Sequence, residues 1–84
     1  MNTLAELPTG TRAQVREVID DPAQPEWARQ LADIGFGPGE PVCVLRRGAL
    51  GGDPLVVRIG CSTFALRRAE AACIAVEPLD TEAA

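Results

Sequence analysis

The chain has no histidine, no lysine and no tyrosine. Its aromatics are Trp27, Phe36 and Phe64. Each absence removes chemistry. Without histidine, the commonest general acid–base group and metal ligand is missing. Without lysine there is no Schiff base and no phosphate-gripping P-loop lysine. Serine triads and cysteine proteases lack their base. No carboxylate pair stands out among the 12 acids. No catalytic residue is assigned, and the chain is read as a non-enzyme.

Long apolar runs are also missing. The longest, Ala71 to Val76, falls far short of the ~20 residues of a membrane-spanning helix. The N-terminal stretch MNTLAELPTGTR shows neither a basic region nor an apolar one, so no secretory signal is read there. The expected compartment is the cytoplasm. Net charge is −4, with 12 acids against 8 cations, all of them arginine. That balance argues against nucleic acid as a partner, since a basic footprint dominates such affinity. Few aromatics and no tyrosine also argue against a proline-rich peptide groove.

Cys43, Cys61 and Cys73 are spaced by 18 and 12 residues, with no CxxC pair. Zinc sites show four ligands in close pairs. The thiols are therefore read as isolated, and neither a metal site nor a cofactor is assigned.

What the chain has in excess is turn residues. Six of its eight glycines and three of its seven prolines fall between Leu31 and Ile59. Alternation predicts a first strand over Thr11–Ile19, with Ala13 and Val15 apolar. Leu4 and Leu7 are expected to cover one end of the core. A helix is predicted from Pro25, with Trp27, Leu31 and Ile34 at i, i+4 and i+7 on one face. Gly35 stops it as a C-cap. Phe36 is expected to fold back onto Leu31 and Ile34. Pro38-Gly39 fits the centre of a type II turn.

Four short strands then follow. Glu40–Arg47 comes first, and GALGGD joins it to a strand opened by Pro54. A corner at Gly60 leads to a strand over Thr63–Arg67. RRAEAA reads as one helical turn, and Cys73–Glu77 as the closing strand. The inward set is Val15, Val42, Val44, Leu55, Val57, Ile59, Leu66, Ile74 and Val76. So few aliphatics suit a small, bent barrel with glycine corners. The predicted fold is mainly β: a small barrel of about five strands with a helical insertion between strands 1 and 2. One domain spans residues 1–78, and residues 79–84 are expected to form a flexible tail.

The sequence resembles the FeoA family of the bacterial ferrous-iron uptake system. Leu31, Asp33, Gly35 and Phe36 carry its helix end, and Pro38-Gly39 its turn. Ala49-Leu50-Gly51-Gly52-Asp53-Pro54 is similar to a family loop that commonly reads Pro-Leu-Gly-Asp-Pro. Ala65-Leu66-Arg67 follows, then Ala71, Ile74 and Val76. Leu4, Leu7, Gly10 and Val15 resemble the family's opening. Together these cover roughly residues 3 to 78. The three cysteines fall outside the family pattern.

The resemblance implies an SH3-like barrel without enzyme activity. It also implies a cytoplasmic partner, the ferrous-iron permease FeoB, which has a GTP-binding cytosolic region. The expected function is that of an accessory that binds this region and modulates the permease. The same barrel ends iron-dependent repressors, so a metal-responsive regulatory module that binds a transition metal ion is the alternative. No winged-helix segment precedes the barrel in this sequence, which favours the transport accessory.

The expected partner-binding set is Arg46, Arg47, Leu50, Gly51, Gly52 and Asp53, with Trp27 on the helix as a second surface. Leu50 leads it, because Ala49 and Gly51-Gly52 offer little to bury it, and an exposed leucine on a stiff hairpin anchors interfaces. Self-association is left open.

Overall fold

The computed structural model describes residues 2–79, with the side chain of Leu50 outside the description. Six strands form one antiparallel sheet. They are β1 (Asn2–Thr3), β2 (Arg12–Val18), β3 (Pro41–Leu50), β4 (Asp53–Ile59), β5 (Ser62–Leu66) and β6 (Ile74–Pro78). Two helices interrupt them, α1 (Trp27–Ile34) and α2 (Arg68–Ala71). A 3-10 turn, Leu4–Glu6, follows β1. The strand order is β1-β6-β2-β3-β4-β5.

All nine residues of the predicted inward set are buried, and Leu4, Leu7, Leu31 and Phe36 join them in one core. β6 lies between β1 and β2, so Ala75 is buried as well as its neighbours Ile74 and Val76. Leu4 and Leu7 are closed over as expected. Burial of these aliphatics supplies the main stabilisation.

Two expectations about architecture are corrected. The sheet does not close into a barrel: β1 and β5 are its two edges, and no pairing joins them among the described residues. The described residues form six strands rather than about five. The additional one is Asn2–Thr3, whose two residues pair with Val76 and Ala75 and are too short for any alternation to show. It shifts the count, so α1 falls between β2 and β3 rather than between strands 1 and 2.

The strands bend at register shifts: between Val15 and Glu17 in β2, and between Val44 and Arg46 and then Arg47 and Leu50 in β3. An extra residue at such a point turns the strand and sharpens its twist. The first shift carries burial from Val15 to the half-buried Val18 and leaves Ile19 exposed.

α1 starts at Trp27, two residues after Pro25. Gly35 caps it: the Gly35 and Phe36 N–H groups both donate to the Leu31 carbonyl. That bond swings Phe36 into the core, where it is fully buried. Ile34, expected on the buried stripe, is 38% exposed instead. Gly37 to Glu40 forms the predicted turn, with Glu40 N–H donating to the Gly37 carbonyl at 3.1 Å. β3 extends to Leu50, three residues beyond the predicted end. The connector to β4 is therefore only Gly51-Gly52. Residues 80–84, most of the expected tail, lie outside the described residues.

Candidate functional site

The sequence singles out the β3–β4 hairpin, and the local chemistry explains its shape. Leu50 pairs with Asp53 across Gly51-Gly52, whose φ angles are +70° and +82°. Two consecutive positive φ values are what a two-residue hairpin turn of the mirror-image type needs, and glycine takes them without a Cβ penalty. Gly48 is required for a different reason. A Cβ there would collide with the Asp53 carbonyl. The Gly48 carbonyl in turn accepts the Gly52 N–H at 3.1 Å.

The candidate residues separate into two groups. Arg46 is exposed, in register with Val56 on the outer face of the sheet. Arg47 is in register with the buried Leu55. Its guanidinium donates to the Leu7 carbonyl at 2.6 Å, and its stem lies against Gly52. Asp53 is exposed, but its carboxylate accepts the Arg68 backbone N–H at 2.9 Å. Arg47 and Asp53 therefore hold the hairpin to the rest of the fold. Gly51 is exposed and Gly52 half-buried at the hairpin tip. Leu50 is placed by its backbone pairing alone. Trp27 belongs to α1, not to the hairpin, and is half-buried against the core. The structure thus gathers Arg46 to Asp53 on one hairpin and leaves Trp27 on a separate element.

Arg46 and Arg47 also show what sequence counting misses. Alternation continued from Val42 and Val44 would put Arg46 inside. The shift at Leu45 reverses this: Leu45 is 39% exposed, Arg46 faces out, and Arg47 takes the inner rim. The shift has no glycine to signal it.

The thiols do not converge. Cys61 is exposed at the β4–β5 corner, Cys43 is half-buried, and Cys73 is buried. Among the described residues no group of three or more cysteine, aspartate or glutamate side chains is arranged to hold a metal ion. Burial pushes the Cys73 thiol above its ordinary pKa, and the negative charges of Asp21 and Glu70 add to the shift. Cys73 is a poor nucleophile as a result. Among the described residues no helix is long and apolar enough to cross a membrane.

Comparison with known proteins gives a consistent result. A family model described as the FeoA domain matches residues 2–78. The fold is similar to that of FeoA from Stenotrophomonas maltophilia, with a TM-score of 0.83 and 43% identity over 92% of this chain and 91% of that one. That protein was solved with zinc and described as a prokaryotic SH3 domain protein and candidate ferrous iron transport activating factor. FeoA from Chlorobium tepidum gives a TM-score of 0.77 and 38% identity over 93% of this chain and 70% of that one. A manganese-dependent transcriptional repressor gives a TM-score of 0.77 and 27% identity, over 93% of this chain and 41% of the repressor. A search of curated protein sequences gives no match.

Proposed function

The chain belongs to the FeoA family, and on that premise we propose that it is a cytoplasmic accessory of ferrous-iron transport. It binds the cytosolic, GTP-binding region of the FeoB permease and modulates its activity, without catalysis of its own. The observation that carries this reading is the 43% identity, over nine-tenths of both chains, to a protein described as a candidate ferrous iron transport activating factor. The mechanism is differential binding. The accessory shifts the permease between states only as far as it prefers one of them.

The contact surface in this reading is the β3–β4 hairpin: Arg46 on its outer face, and Leu50 and Gly51 at its tip. Arg47, Gly52 and Asp53 hold that surface in shape and contribute to binding through it. Trp27 and α1 form a second surface. A pull-down against the permease's cytosolic region in each nucleotide state tests the reading. Leu50→Asp is expected to fold normally and to weaken capture. Equal capture of wild type and variant removes the hairpin from the interface, and no capture in any nucleotide state removes the reading.

A second reading follows from the repressor match. The chain is then a metal-responsive module that binds a transition metal ion directly. Titration of the purified protein with Fe(II) separates the two. Stoichiometric binding at low micromolar metal favours the module, and its absence favours the accessory.

A further inference from the structure

β5 is an edge of the sheet, paired with β4 and with no other strand among the described residues. Natural edges are guarded by shortness, charge, proline or a bulge. The opposite edge, β1, is two residues long. β5 has none of these guards. It runs five residues, Ser-Thr-Phe-Ala-Leu, in unbroken register with β4.

The direction of its backbone groups follows from the corner before it. Ile59 pairs with Ser62 across the two-residue turn Gly60-Cys61. The pair closing such a turn exchanges hydrogen bonds, and bonded and non-bonded pairs then alternate along the ladder. Val57–Phe64 and Leu55–Leu66 are therefore bonded pairs, while Arg58–Thr63 and Val56–Ala65 are not. Thr63 and Ala65 point their N–H and C=O groups away from β4, at the open edge. No other backbone group among the described residues takes them up.

In the two cross-strand rows that run out to this edge, the charged side chains are all arginine; the nearby carboxylates lie past its ends, Glu40 beside Gly60 and Glu70 and Asp53 on the Arg67 and Arg68 N–H groups. Across the sheet, Arg12, Cys43, Arg58 and Thr63 are in register in one row. Arg46, Val56 and Ala65 form the next. Arg12, Arg46 and Arg58 are all exposed, and so is Arg67 just past the end of β5. Neither row contains an acid, in a chain whose net charge is −4. On the inner face, Phe64 is only partly buried at the edge of the core.

We propose that β5 accepts an extended acidic segment of a partner protein as an added strand. The partner's backbone pairs with Thr63 and Ala65. An apolar side chain of the segment covers Phe64, and acidic side chains on either side of it meet Arg58 and Arg67. Strand addition of this kind draws affinity from main-chain bonds and specificity from alternate side chains. A second copy of this chain fits less well, because β5 has no acid to offer the arginines. The proposal goes beyond the iron-transport reading, and its test does not use the permease.

The test is titration of the full chain with a seven-residue peptide of alternating glutamate and valine, followed by amide NMR. Saturable shifts centred on Thr63–Leu66, weakened by salt and absent with a lysine–valine peptide, are expected. Arg58→Glu should weaken binding about tenfold. Ala65→Pro should abolish it while sparing the bonds to β4, because the lost N–H is the outward one. Circular dichroism checks that both variants fold, and if Ala65→Pro does not, Arg58→Glu decides. Shifts centred elsewhere, equal binding of the lysine peptide, or no saturation below about 1 mM overturns the proposal. So does a concentration-dependent dimer of the wild type that Ala65→Pro dissolves, which assigns the edge to self-pairing.

Discussion

The Asp53 carboxylate accepts the Arg68 backbone N–H at 2.9 Å and so fastens the start of β4 to the start of α2. The first turn of a helix leaves N–H groups without partners. Here one of them is satisfied by a residue 15 positions earlier in the chain. Glu70 closes the same turn by accepting the Arg67 N–H, also at 2.9 Å. Asp53→Ala should therefore cost about 1 kcal/mol. Urea denaturation of the variant measures this, and an unchanged midpoint refutes the role. Asp53→Asn keeps an acceptor and should recover most of the loss.

Arg46 and Arg47 should behave differently although they are neighbours. Arg47→Ala removes the bond to the Leu7 carbonyl and the stem packing on Gly52. A loss of about 1–2 kcal/mol is expected. Arg46→Ala should stay within roughly 0.5 kcal/mol of wild type, as an exposed substitution. If partner capture falls for Arg46→Ala at unchanged stability, the outer face of the hairpin is in the interface.

Two glycines of the hairpin fail in different ways. Gly48→Ala places a methyl group into the Asp53 backbone and should destabilise by about 1–3 kcal/mol. Gly51 has open space around it but a φ of +70°. Gly51→Ala should cost about 1–2 kcal/mol, and Gly51→Asn less, since asparagine tolerates that conformation. Equal losses for Gly51→Ala and Gly51→Asn would contradict the turn assignment.

The three thiols should label in the order Cys61, Cys43, Cys73 with a thiol-reactive chromogen at neutral pH, following their exposure. The raised pKa of Cys73 also sets a pH dependence. Its thiol ionises more readily in the unfolded chain than in the folded one. Its contribution to stability is complete below the ordinary thiol pKa and is lost as pH rises through the higher folded value. Denaturation midpoints should fall on the alkaline side, and Cys73→Ala should flatten that fall. An identical alkaline slope in the variant assigns it to other groups.

Much of the core was legible because burial on a half-buried strand follows a period of two. Val42 and Val44, then Leu55, Val57 and Ile59, show that period plainly, and all are buried. Gly35 as a helix stop and Pro38-Gly39 as a turn were equally readable, since few other residues accept those conformations. The edge at Asn2–Thr3 was not readable, because two residues carry no period. Ile34 was misplaced because helical spacing gives a face but not where the sheet beneath it ends.

In the candidate site, sequence identified the hairpin but not the division of work within it. The tip is written in Gly51-Gly52. That Asp53 caps α2 and Arg47 reaches Leu7 depends on contacts 15 and 40 residues apart in the chain, which no local pattern encodes.

The amino-acid sequence by itself determined which residues avoid water and where the chain must turn, because hydrophobicity and backbone sterics act residue by residue. Only the tertiary structure decided which arginine faces solvent and, among the described residues, whether the sheet closes and which strands form its edges. Those depend on register, and a single extra residue at Leu45 reverses which side chains point inward beyond it.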